Sequence, residues 1–183
     1  MQRRRFLVQS LAATAALAAP TVRAQSRTVP IKFTLDFRIT GQTAPFFLAQ
    51  QRGYYAAEGL DVSIDVGAGS VASITRIVSG AYQMGLGDIS SLIEFQAANG
   101  GTPAVQAVYQ YYNRAPFAII GRKDRGVTGD FKGLQGKKVA AAAVESTRRA
   151  WPMVARKLRV GDDLFQWTTT DFSQRDNVMV RGD

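Results

Sequence analysis

Apolar and polar residues alternate along two stretches in the first third of the chain. From Val29 to Asp36, Ile31, Phe33 and Leu35 alternate with Lys32, Thr34 and Asp36, and the run from Leu60 to Val66 repeats the pattern. A period of two predicts strands buried mainly on one face. Between them the spacing becomes helical: Thr43 as cap, Pro45 in the first turn, Phe46, Phe47 and Ala49 as apolar surface, and Gly53 as the stop. After the second strand, Gly67-Ala68-Gly69-Ser70 turns the chain into a helix with Val71, Ile74, Ile77 and Val78 on one face, closing at Gly80.

The alternation continues with a third strand, Tyr82 to Leu86, a turn through Gly87-Asp88-Ile89-Ser90-Ser91 and a helix from Leu92 to Ala98. A fourth strand is expected at Val105–Tyr109. Past Tyr111-Tyr112-Asn113-Arg114-Ala115-Pro116 the pattern restarts, with strands at Phe117–Gly121, Lys138–Ala142 and Phe165–Thr168. One intervening helix carries Trp151, Val154, Ala155 and Leu158 on one side, with Pro152 either kinking it or marking its start; another is expected over Asp171–Val180. Strands alternating with helices at this spacing specify the α/β class, with parallel sheets and crossover helices.

Ligands of parallel sheets sit beyond the C-terminal strand ends. Three loops of the first half meet there: Asp36-Phe37-Arg38, Gly67-Ala68-Gly69-Ser70 and Gly87-Asp88-Ile89-Ser90. Ser70, Ser90 and Ser146-Thr147 each place hydroxyls and unpaired backbone N–H groups at a helix start, to hold an anion or simply to cap the helix. A hydrogen bond to a charged group contributes roughly 1.5–3 kcal/mol, so several must converge for useful affinity. Asp36 and Asp88 can take the amino group of a pyrimidine or amine, or serve turn and cap chemistry. Phe37, Tyr111, Tyr112 and Trp151 offer faces for a planar ligand or for packing, and Arg38 and Arg148 can pair with sulfonate or phosphate or stay at the surface.

Composition narrows the chemistry. There is no histidine and no cysteine, which removes imidazole acid–base catalysis, Ser-His and Cys-His nucleophiles, common zinc sites and disulfides. An enzyme here would need carboxylates, Lys, Tyr or a cofactor, whereas binding needs none of those, and the chain is expected to be a binder and not an enzyme, with no cofactor and no metal. The opening residues read as a targeting segment, 1–24: Arg3-Arg4-Arg5-Phe6-Leu7 is basic, Val8 to Ala19 is apolar but too short to span a bilayer, and Val22-Arg23-Ala24 is a cleavage site. The arginine pair before Phe6-Leu7 resembles a twin-arginine export signal, an ordinary secretory signal being the alternative. Either way the expected location is the periplasm. Four of the arginines behind the net charge of +9 lie in that segment, so the remainder is mildly basic, without a nucleic-acid footprint. Gly67-Ala68-Gly69-Ser70-Val71-Ala72 also fits a dinucleotide fingerprint with Asp88 downstream, the mark of an oxidoreductase.

Several stretches together resemble one family: Leu35-Asp36-Phe37, Ala44-Pro45-Phe46-Phe47-Leu48-Ala49, Gly53-Tyr54-Tyr55, Glu58-Gly59-Leu60-Asp61-Val62, Gly69-Ser70, Ser79-Gly80, Gly87-Asp88 and Gly133-Leu134-Gln135-Gly136-Lys137-Lys138. They are similar to the substrate-binding proteins of ABC importers that include sulfonate, taurine and nitrate binders and the thiamine-pyrimidine (NMT1/THI5-like) proteins. The resemblance implies a periplasmic-binding-protein type II-like fold of two lobes, here 25–115 and 116–183, the second incomplete because Met179-Val180-Arg181-Gly182-Asp183 stops where a further strand is due. It implies a monomer that captures a small polar or anionic molecule and docks on a membrane permease with its ATPase, without nucleic acid. The implied ligand set is Asp36, Phe37, Arg38, Gly69, Ser70, Asp88, Ile89, Ser90, Tyr112, Ser146 and Thr147. A pyrimidine synthase, which in this family uses a histidine and cysteines, and a fragment without function are the alternatives.

Overall fold

The computed structural model describes residues 28–100 and 104–182, so the targeting segment 1–24 lies outside the described residues. Strands β1 (Val29–Thr34) and β2 (Leu60–Asp65) form where the period of two predicts them, and pair in parallel with Ile31 beside Val62 and Phe33 beside Ile64. Strand β3 (Met84–Gly85) adds to the other side of β1, giving the order β2-β1-β3. The central strand therefore ends in the most protected place in the sheet, and Thr34 and Leu35 are fully buried there. Gly85 lies so close under this end that a Cβ would stand 2.6 Å from the Thr34 methyl group. Only glycine allows the third strand to pair there.

Helices α1 (Ala44–Gln51), α2 (Tyr54–Ala57), α3 (Ser70–Val78) and α4 (Ile89–Ala98) make the crossovers. Gly53, at φ 72°, separates the first two in the left-handed conformation that glycine adopts without cost. Thr43 does not cap α1 as expected: its hydroxyl donates to the Thr40 carbonyl at 2.9 Å, closing a short 3-10 turn instead. Ile74 of α3 and Leu92 of α4 are buried, as is Leu35 just past the end of β1.

The second half builds its own sheet. Strands β4 (Lys138–Ala141) and β5 (Gln166–Thr169) pair in parallel, with Val139 beside Trp167. Helix α5 (Ser146–Leu158) covers them and α6 (Arg175–Arg181) follows β5. Leu134, Trp151, Ala155 and Phe165 form the core, with Trp151 and Phe165 ring centroids 4.5 Å apart. The Trp151 indole N–H donates to the Asp162 carbonyl at 2.9 Å, so this ring is used in packing and not in a ligand face. Pro152 sits inside α5, where it has no N–H to give the Arg148 carbonyl one turn back.

Two expected strands do not form. Val105–Tyr109 and Phe117–Gly121 lie outside any ladder, with Val108, Tyr109 and Ile120 74–82% exposed. Alternation marks which residues share a face, but a strand also needs a neighbouring backbone. No described strand lies against either segment. The helix expected from Asp171 begins only at Arg175, because the Asp171 carboxylate accepts the Ser173 N–H at 2.8 Å and forms a turn first.

These contacts give opposite expectations for two neighbours on α5. Trp151→Ala, which empties the core and orphans the Asp162 carbonyl, lowers stability by about 3–5 kcal/mol. Pro152→Ala restores the missing helical bond and raises it by up to about 3 kcal/mol. Urea midpoints measure both, and an unchanged or lowered midpoint for Pro152→Ala would mean that the proline ring is needed for packing.

Candidate functional site

The turns leaving β1, β2 and β3 close on one another. The Gly69 N–H donates to the Asp36 carbonyl at 2.6 Å and the Gly67 N–H to the Phe37 carbonyl at 3.1 Å. A Cβ at residue 67 would lie 1.9 Å from the Leu35 carbonyl oxygen, so glycine is what lets the second turn lie on the first. Ser70 opens α3 and is buried; its hydroxyl accepts the Asp88 N–H at 3.0 Å and hydrogen-bonds the Asp36 carboxyl. From the second sheet, Ser146 at the start of α5 donates to Ser70 Oγ at 3.4 Å and lies 3.5 Å from Ser91 Oγ. Hydroxyl pairs normally close to about 2.5–3.0 Å, so these three are held loosely and can exchange partners.

Asp36 makes no ion pair among the described residues, and burial pushes its carboxyl above the ordinary value of 3.8. The nearby Asp88 charge adds to the rise, while backbone and Ser70 hydrogen bonds oppose it. The Tyr112 hydroxyl is also pushed up, by desolvation first and then by the charges of Tyr111 and Asp36. Asp88 is the helix cap: its Oδ1 accepts the N–H groups of Ser90 at 3.0 Å and Ser91 at 3.3 Å. That use occupies the carboxylate which the dinucleotide reading assigned to a ribose. The same reading also fails on topology, because the glycine corner follows the edge strand β2 and not β1.

Beside this junction opens a cleft of about 280 Å³, lined by Phe37, Arg38, Gly67, Ala68, Asp171, Phe172 and Ser173. The Phe37 and Phe172 rings meet edge to face at 5.1 Å, and the guanidinium carbons of Arg38 and Arg175 stand 5.2 Å and 5.7 Å from the Phe37 ring centre. Arg38 reaches Asp176 at 3.7 Å, while Arg175 pairs with the poorly exposed Glu145.

The structure thus brings Asp36, Phe37, Arg38, Gly69, Ser70, Asp88, Tyr112 and Ser146 around one junction, with Ser90 joined to it through the Asp88 cap. Ile89 is 55% exposed at the start of α4, and Thr147 is half-buried on α5 without a contact to this group. Tyr111 stacks on Phe46 and donates to the Gln42 carbonyl, and Arg148 donates to Thr169 over the Trp167 ring; both serve packing. Sequence reasoning missed Ser91, Glu145, Asp171, Phe172, Ser173 and Arg175. A signal existed for three of them: Asp171-Phe172-Ser173 follows β5 as Asp36-Phe37-Arg38 follows β1, the same dipeptide at two strand tips.

Asp36 makes stability depend on pH with a definite sign. Between its ordinary value and its raised folded value, the folded chain holds a proton that the unfolded chain has released. Stability from this group is therefore present at low pH and lost as pH rises through that window. Asp36→Asn removes the loss. Urea midpoints taken between about pH 3 and 7 should show the variant gaining on the parent chain as pH rises, whereas a gap that stays constant would refute the burial account.

Comparison with known proteins gives this geometry relatives. The family described as NMT1/THI5 like matches residues 40–174. The 4-amino-5-hydroxymethyl-2-methylpyrimidine phosphate synthase of Aspergillus parasiticus is 31% identical over 110 residues, 60% of this chain and 31% of that protein. The synthase THI11 of Saccharomyces cerevisiae is 32% identical over the same shares. The chain thus spans about a third of the length of these relatives. A solved structure from Bordetella bronchiseptica RB50 overlays 79% of this chain and 45% of its own at 15% identity, with a TM-score of 0.46. The expectation of a non-enzyme, drawn from the missing histidine, is corrected here: relatives at 31–32% identity are named as synthases, which points to an enzyme. The physical reason is that the absence of histidine excludes imidazole chemistry only and leaves acid–base work by carboxylates open. With the match covering well over half of its residues, the chain belongs to the NMT1/THI5-like family.

Proposed function

We propose that the chain binds 4-amino-5-hydroxymethyl-2-methylpyrimidine or its phosphate at the strand-tip junction, as part of the chemistry named in its relatives. One observation carries the reading: the half-buried Asp36 carboxyl, raised above its ordinary value by burial, stands at the same strand-tip junction as Ser70 and beside an aromatic cleft. An aminopyrimidine presents a ring nitrogen that accepts and an exocyclic amine that donates. A carboxyl accepts from that amine in either form, and its protonated form also donates to the ring nitrogen. Ser70, Ser91 and Ser146, loosely paired with one another, are the groups that can turn to the ligand's hydroxymethyl or phosphate oxygens.

A second reading concerns use and not the ligand: capture of the same pyrimidine in the periplasm by a monomer, and delivery to a permease and its ATPase. The basic and apolar segment Arg3–Ala24 favours it. Nitrate and simple sulfonates offer this carboxyl no amine to accept from, whereas taurine does.

Isothermal titration of the chain with each pyrimidine tests the ligand. Saturable heat is expected, with Asp36→Asn within a few-fold of the parent, because an amide keeps one donor and one acceptor. Asp36→Ala should lose about tenfold or more, the worth of a buried hydrogen-bonded pair. No saturable heat with either compound sinks the ligand assignment, and loss in Asp36→Asn equal to that in Asp36→Ala sinks the protonated-acid account. Mass spectrometry separates the two uses: pyrimidine phosphate that appears when none was supplied supports synthesis, and pyrimidine recovered only when it was supplied supports capture.

A further inference from the structure

Charge is distributed unevenly along the chain. Residues 116–182 hold 13 basic and 7 acidic side chains, whereas residues 28–115 hold 5 and 6. Part of the excess gathers at one end of the second sheet. Helix α5 runs back against β4 and β5, so its last turn lies at the end where both strands begin, with Lys138 and its partner Gln166. Arg156, Lys157 and Arg159 stand at that end, about 18 Å along the helix axis from Ser146 at the strand-tip junction. We propose that this basal end is a docking surface for anionic phospholipid headgroups, held by Lys138, Arg156, Lys157 and Arg159, and that the junction faces away from the lipid.

All four cations are exposed, and none enters an ion pair among the described residues. Arg122, Arg149 and Arg175, by contrast, are matched to carboxylates. Asp162 and Asp163, in the turn before β5, follow the cluster in sequence and leave it with a net positive charge. Helix α5 contains no acidic residue, and Pro152, Met153, Arg156 and Lys157 share its outer face, with Met153 63% exposed. Cations interleaved with exposed apolar side chains suit the boundary between water and lipid. Headgroup phosphates pair with the cations, while Met153 and Leu158, 41% exposed, enter the acyl region. An acidic protein surface would need the cations alone.

The backbone adds an independent observation. Helix α5 closes with the Val160 N–H on the Ala155 carbonyl at 3.0 Å and the Arg159 N–H on the Arg156 carbonyl at 3.2 Å, a pattern whose cap residue is left-handed. Arg159 is that residue, at φ 57°, and among the described residues it is the one non-glycine at positive φ. Helix α6 ends on Gly182 in the same conformation, at φ 84°. A Cβ there crowds the following carbonyl, so arginine is kept where glycine would make the fold more stable. The helix dipole favours cations in the last turn, but Arg156 and Lys157 already meet that demand. The Arg159 guanidinium carries the charged surface past the end of the helix, a gain for binding and not for folding.

Sedimentation of the chain with vesicles of phosphatidylcholine alone, or of phosphatidylcholine mixed with phosphatidylglycerol, tests the proposal. Binding is expected to the mixed vesicles only, and weaker at physiological salt than at low salt, where screening is slight. Each neutralised cation should weaken it about fivefold, and Arg156→Gln, Lys157→Gln and Arg159→Gln combined about a hundredfold. Arg159→Gly separates the surface from the fold: it should raise the melting temperature by about 2–5 °C while weakening vesicle binding about fivefold, and Arg159→Lys should keep the parent's binding. Arg52→Gln, which removes one charge from the first half, should change nothing. Met153→Ser should weaken vesicle binding and leave retention on poly-glutamate as it was. Equal binding to both vesicles, undiminished binding in a triple variant that melts near the parent temperature, or a loss in Arg52→Gln equal to that in Arg159→Gln overturns the proposal. No binding to the mixed vesicles also overturns it, and retention on poly-glutamate in that case makes an acidic protein the partner of this surface.

Discussion

The buried Ser70 hydroxyl is the point through which the two sheets communicate. It takes the Asp88 N–H, bonds the Asp36 carboxyl and receives the Ser146 hydroxyl, so one oxygen touches the tips of β1 and β3 and the first turn of a helix from the other sheet. Its position follows from two backbone demands. The Gly67 corner must lie flat on the Leu35 carbonyl, and Gly69, at φ 106°, must turn the chain into α3. With side chains at either position the hydroxyl would stand elsewhere.

What separates the two sheets matters as much as what joins them. Leu35, Ile74 and Leu92 are buried in the first half, and Leu134, Trp151, Ala155 and Phe165 form the core of the second. Among the described residues the two halves meet through hydroxyl pairs, the Phe37–Phe172 ring contact, the Arg175 guanidinium over the Phe37 ring and two ion pairs, Arg38 with Asp176 and Arg149 with Glu94. A close-packed apolar interface cannot admit a small molecule without leaving voids. A polar seam can, because hydroxyls and guanidiniums exchange one partner for another.

Much of the fold was legible in the residues. The period of two located β1 and β2, the restart of the strand–helix pattern located β4 and β5, and glycine corners located the turns, because local patterns carry those decisions. Val105–Tyr109 and Phe117–Gly121 failed because ladder formation depends on a partner strand that a local pattern cannot supply. The first-half site was legible for the same reason that the strands were: loops at the tips of parallel strands converge whatever the side chains. The contribution of Phe172 and Arg175 was not, since it depends on how the second sheet is set against the first. The repeated Asp-Phe pair was visible in the sequence, but only the 5.1 Å ring contact gives it meaning.

Two carboxyls of the site are driven in opposite directions by their surroundings. Burial raises Asp36, whereas the Ser173 N–H and hydroxyl hold Asp171 below the ordinary range. Groups of one chemical type thereby differ in how readily they give up a proton, because one is withdrawn from water and the other is held by donors at the surface. Imidazole is only one way of setting two acidities apart. A chain without histidine reaches the same end with aspartates placed at different depths around one junction.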